Sequence, residues 1–81
     1  MDFPRYTDVV LTVNLPDEHL QVGDIGTVVE RHDVPGLEPG YSVEFFDMLG
    51  KPIAIVTVPA RMLRQPTHAD RPTTRSEAIS A

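Results

Sequence analysis

The stretch Gly23-Asp24-Ile25-Gly26-Thr27-Val28-Val29-Glu30 constrains the fold most. Two glycines stand three apart, and a β-branched run follows at once. Glycine permits positive φ and close backbone approach, so Gly23 and Gly26 predict a tight turn that delivers the chain into a strand. Thr27, Val28 and Val29 favour extended backbone because their branched Cβ fits a pleated surface. A sharp turn feeding a short valine strand is what a small β-barrel needs.

The rest of the chain has the same character. Asp8 to Val13 alternates, with Val9, Leu11 and Val13 on one face and Val10 and Thr12 on the other. Asn14 to Gly23 is a loop broken by Pro16, Asp17 and Glu18. His32 to Gly40 holds two prolines and two glycines and predicts a second long loop. Tyr41 to Phe46 alternates most clearly: Tyr41, Val43 and Phe45 share one face, and Ser42, Glu44 and Phe46 the other. Asp47 to Lys51 predicts a hairpin turn with Gly50 at positive φ. Pro52 then starts a strand at a place where its missing N–H is harmless. Ile53 to Val58 is nearly all apolar and is expected to be the most buried strand. Pro59 to Arg61 reads as one 3₁₀ turn, and Met62 to Gln65 as a short closing strand.

Five short strands without a helical period predict an all-β fold, a small five-stranded SH3-like open barrel with a flexible C-terminal tail. The expected core is Val9, Leu11, Val28, Val43, Phe45, Ile55 and Leu63. From Pro66 the composition turns to proline and small polar residues. We therefore divide the chain into a barrel over residues 1–66 and a disordered tail over 67–81. Thr74 and Glu77 have capping-box spacing, with too few residues after them to sustain an isolated helix.

The pattern LQVGDIGTVVERH, then GYSVEFFDMLGKPIAIVTV, then PARMLRQ resembles a bacterial family of small SH3-like barrels known only as a domain of unknown function, over about residues 6–65. It is more distantly similar to the barrel of the nitrile hydratase β subunit and its accessory proteins. There too a glycine pair precedes a valine strand (Gly23, Gly26 and Val28 here), a histidine closes that strand (His32), and a Y-x-V-x-F strand follows (Tyr41, Val43, Phe45). These resemblances imply a fold. They imply no hydratase reaction, because that enzyme's metal-binding cysteines lie in its other subunit and this chain has no cysteine.

The same lack of cysteine removes disulfides and thiolate chemistry. The opening residues Met1 to Arg5 show no apolar core of a signal peptide. No apolar run approaches the roughly 18 residues of a membrane helix. These features predict a cytoplasmic protein without membrane partners. The net charge is -5, with Asp and Glu outnumbering Lys and Arg 12 to 7. Such a chain repels phosphate backbones, and its long loops are acidic, so no nucleic-acid partner is expected.

His19 and His32, with Asp17, Glu18 and Asp33, could ligate a divalent ion if the two long loops met. The plainer reading is solvent-exposed loop histidines, and we expect no metal and no cofactor. Gly23-x-x-Gly26 lacks a following lysine and opens a strand, which argues against a phosphate loop. No serine stands in a strained nucleophile turn, so no enzyme activity is expected.

What remains is an interaction module. In an SH3-like barrel the long loops flank a shallow groove. Tyr6, Tyr41 and Phe46 are its candidate floor, and Asp17, Glu18, Asp33 and Glu38 its candidate acidic rim for a basic protein partner. The plainer reading is that Phe46 covers a second sheet face and that the acids keep the chain soluble. The expected role is a non-enzymatic accessory, immunity or antitoxin-type protein. The alternative is an accessory or subunit-like protein of a nitrile hydratase-type metalloenzyme. A homodimer formed through a strand edge is a further expectation.

Overall fold

A computed structural model describes residues 2–71. Five antiparallel strands form one curled sheet: β1 (Asp8–Leu11), β2 (Ile25–His32), β3 (Gly40–Phe46), β4 (Pro52–Pro59) and β5 (Leu63–Arg64). Their order is β4-β3-β2-β1-β5, so β2, β3 and β4 make a meander and β1 lies between β2 and β5. The sheet curls into an open half-barrel. Its only helical pieces among the described residues are 3₁₀ turns at Pro16–Glu18 and Ala60–Met62.

The two glycines of the organising stretch do different jobs. Gly23 has φ +95° and makes the turn, with its N–H bonded to the Leu11 carbonyl. Gly26 lies inside β2 without positive φ, which corrects its expected place in the turn. Its partners across the ladder are Val9 on β1 and Phe45 on β3. A Cβ built on Gly26 would stand 2.6 Å from Val43 Cγ1 and 2.9 Å from the Phe45 ring. The glycine is there because the ring fills the space above it. Gly50 has φ +85° in the β3–β4 hairpin. There Asp47 Oδ1 accepts the N–H groups of Leu49 and Lys51, each at 2.9 Å.

The core comprises Phe3, Val9, Leu11, Leu20, Val28, Tyr41, Val43, Phe45, Val56, Val58 and Leu63. Two expectations fail here. β4 is not the most buried strand but an edge strand, with alternating burial. Ile55 is 61% exposed, whereas Val56 and Val58 point inward. The reason is register: Tyr41 pairs with Val58 and Val43 with Val56, and directly opposed residues share a face. Ile55 opposes Glu44 on the outer face.

Phe3 closes one end of the barrel. It is buried and meets Tyr41 edge-to-face at 5.3 Å between ring centroids. The lead-in is held against β2 by Tyr6 N–H to the Val28 carbonyl (2.6 Å) and Val28 N–H to the Thr7 carbonyl (3.0 Å). Past β5, Asp70 accepts the Thr67 N–H at 2.6 Å and pairs with Arg64. This turn belongs to the segment assigned to the tail. Residues 72–81, with the Thr74–Glu77 spacing, lie outside the described residues.

Candidate functional site

The expected groove does not assemble as one surface. Tyr41 is fully buried, so it is core and not groove floor. Its hydroxyl accepts the Phe3 N–H at 3.2 Å and is 3.1 Å from Arg31 Nη1. Inward alternation with Val43 and Phe45 carried this residue into the core. Tyr6 is 70% exposed, at φ +65°, with the Arg5 guanidinium over its ring. Phe46 is partly exposed on the outer face of the hairpin. Neither ring lines a described cleft.

The four acids separate into two kinds. Arg31 Nε binds both carboxylate oxygens of Asp33, at 2.9 and 3.1 Å, while its Nη1 binds Asp2 at 2.6 Å. Glu38 accepts the Arg61 N–H at 3.0 Å and pairs with the Arg61 guanidinium. The Arg61 hydrogen bonds hold the Glu38 carboxyl below its ordinary 4.5. Glu38 is thus paired with a cation of its own barrel, and Asp33 shares Arg31 with Asp2 in a cluster that keeps one net negative charge. Asp17 and Glu18 have no ion pair among the described residues.

Those two carboxylates sit beside the sheet's free edge. Pro16 starts the 3₁₀ turn, its fixed φ suiting the first helical position, and the turn ends at His19 with φ +60°. A bridge between Leu15 and Leu20 pinches the loop closed, and Leu15 packs against the core. The turn faces β4 across an open cleft of about 430 Å³ lined by Leu15 to Glu18 and Ile55 to Val58. One wall is acidic, and the other is a strand lacking a neighbour on that side.

The ladder's phase shows what that strand presents. Ala60 donates to the Pro39 carbonyl, one step beyond the Gly40–Pro59 pair. Tyr41–Val58 and Val43–Val56 are therefore the pairs that exchange both backbone bonds. Ser42–Thr57 and Glu44–Ile55 are the open pairs. Ile55 and Thr57 consequently aim N–H and C=O away from β3, into the cleft side. Pro52 and Pro59 bound this short free edge. No charged residue lies on β4 to guard it.

A second cleft of about 370 Å³ is lined by Phe3, Glu38, Pro39, Ala60, Arg61, Leu63 and Arg64. Its cations are committed, Arg61 to Glu38 and Arg64 to Asp70. On the outer face His32 Nε2, Ser42 Oγ and Thr57 Oγ1 form a row with 2.8 Å between successive atoms. The row brings a serine beside a histidine across β2 and β3, which sequence spacing did not show. Among the described residues no group of three His, Cys, Asp or Glu side chains could hold a metal ion. No described helix is long and apolar enough to cross a membrane.

Fold and site together define a small open β half-barrel with one unguarded strand edge and an acid pair facing it. Residues 6–65 match the family described as Domain of unknown function (DUF4926), and the chain belongs to that family. No curated protein and no solved structure matches the chain.

Proposed function

We propose that this protein is a non-enzymatic interaction module that binds a basic segment of a partner protein in the cleft between Pro16–Glu18 and β4. The observation that carries this reading is the contrast among the four loop acids. Asp33 and Glu38 each pair with an internal arginine, whereas Asp17 and Glu18 have no ion pair among the described residues and border a concave surface. Two adjacent carboxylates repel each other, and a lysine or arginine from outside would relieve that repulsion and be steered to the site by the acidic net charge. A role as an accessory or inhibitor of a protein with a basic surface follows from the same chemistry. The nitrile hydratase-type accessory role would rest on barrel resemblance alone, and no residue at the cleft favours it.

Fluorescence anisotropy with a labelled ten-residue peptide of alternating lysine and valine tests the reading. Saturable binding that weakens as salt rises is expected, because rim charges are screened over about 8–10 Å at near-physiological ionic strength. Asp17→Asn with Glu18→Gln should weaken binding several-fold, while Asp33→Asn with Glu38→Gln should leave it near wild type. Equal affinity of the first double variant and the wild type would overturn the assignment.

A further inference from the structure

We infer that the partner segment binds as an added strand on β4, and that it must be amphipathic with a period of two: apolar residues on one face and basic residues on the other. This rests on the cleft reading above and specifies how the cleft is used. An edge strand offers its free N–H and C=O groups at every second residue, so only an extended chain can meet them repeatedly. On β4 those groups belong to Ile55 and Thr57, and the flanking Pro52 and Pro59 keep the paired stretch short.

Each face of an added strand would meet a different chemistry. On the outer face Ile53 and Ile55 are 53% and 61% exposed, and Phe46 lies near them on the hairpin. Side chains of the added strand on that face would lie against isoleucine, which favours valine, isoleucine or leucine. On the inner face Val56 and Val58 turn into the barrel, and the Pro16–Glu18 turn stands across the cleft with Leu15 packed on the core. Side chains on that face would project toward Asp17 and Glu18, which favours lysine or arginine. Alternation along a strand satisfies both demands with one backbone. A second copy of this chain fits less well, because its β4 carries no basic residue and the one lysine beside it, Lys51, precedes the strand.

Four decamers with the same numbers of lysines and valines separate the outcomes: the alternating lysine–valine decamer, a block sequence with valines first and lysines last, and two alternating decamers N-methylated either on every lysine or on every valine. Each is titrated into the wild-type protein and into the Asp17→Asn, Glu18→Gln variant, with sedimentation velocity reporting the oligomeric state. In an added strand, the backbone N–H groups that face β4 all belong to residues on one face. Methylating one set should therefore abolish binding while the other set is tolerated. The sensitive set also reports strand direction: valines for antiparallel, lysines for parallel.

The alternating peptide should bind at least about tenfold more tightly than the block peptide, a difference of about 1.4 kcal/mol. Equal binding of alternating and block peptides, with both weakened by neutralising Asp17 and Glu18, would overturn strand addition and leave the acidic cleft standing. The same holds if both methylated peptides behave alike. Binding of no peptide would overturn both readings. A stable dimer that the alternating peptide cannot dissociate would show the edge occupied by a second copy and overturn the inference.

Discussion

Replacing Gly26 by alanine adds one methyl group and should destabilise the barrel out of proportion to its size. The new Cβ would stand 2.6 Å from Val43 Cγ1 and 2.9 Å from Phe45 Cδ1 and Cε1, all well inside van der Waals contact. Neither neighbour has room to retreat. Val43 is stiff at χ1 and fully buried, and Phe45 is 1% exposed within the same buried core cluster. Overpacking of this kind costs about 1–3 kcal/mol. For a domain of this length each 1 kcal/mol lowers the thermal midpoint by roughly 4–8 °C, so a fall of about 5–20 °C is expected. Thermal and urea denaturation followed by circular dichroism would measure it.

Two companion variants separate crowding from backbone strain. Gly23 has φ +95° with nothing within 4 Å of its built Cβ. There asparagine, which tolerates left-handed backbone, should be milder than valine. At Gly26 asparagine should be as damaging as alanine or worse. Combining Gly26→Ala with Phe45→Leu should cost less than the two single changes together, with a coupling of about 0.5–3 kcal/mol. An unchanged midpoint for Gly26→Ala, or strict additivity of the pair, would refute the claim that ring and glycine occupy one shared space.

Two further outcomes follow. Ile55→Ala should stay within about 0.5 kcal/mol of wild type, as surface changes do, whereas Val56→Ala, one residue on and turned inward, should cost about 1–3 kcal/mol by lost burial; denaturant midpoints of both variants decide. The carboxyls of Asp2, Glu38 and Asp70 are each lowered, first by hydrogen bonds from Arg31, Arg61 and Arg64 respectively. A depressed folded-state value contributes stability above the ordinary 3.8 or 4.5, and that stability is lost as pH falls through the folded values. The thermal midpoint should therefore hold near neutrality and decline below about pH 4, by a small amount because all three pairs lie at the surface. Asp70→Asn should flatten part of that decline.

Much of the barrel was legible because its signals are local. Tyr41, Val43 and Phe45 alternate with less buried neighbours along β3, and Gly50 announces its turn through its neighbours. The errors came where position depends on remote partners. IAIVTV is apolar at both parities, so nothing within it tells whether Ile55 or Val56 turns inward, and its place at the sheet edge follows from strand order. Phe3 lies in a lead-in without periodicity, and only the fold brings it to Tyr41. Tyr41 was readable as an inward residue of β3, and its ring, a candidate groove floor as an aromatic, is buried with its hydroxyl bonded to Phe3 and Arg31. The site was half legible. The acids stood out as a set, but Glu38 and Arg61 are 23 residues apart, and their pairing is what removes Glu38 from the rim.

Amide hydrogen exchange along β4 tests the account most directly, because its central claim is that this edge is open and that a basic segment closes it. Measured by NMR on dilute protein, the N–H groups of Ile55 and Thr57 should exchange fast, while those of Val56 and Val58, bonded to β3, exchange slowly. Saturating alternating lysine–valine peptide should slow Ile55 and Thr57 selectively, and the Asp17→Asn, Glu18→Gln variant should require more peptide to do so. Uniform protection along β4 in the free protein, or peptide binding that leaves Ile55 and Thr57 exchanging as before, would contradict it.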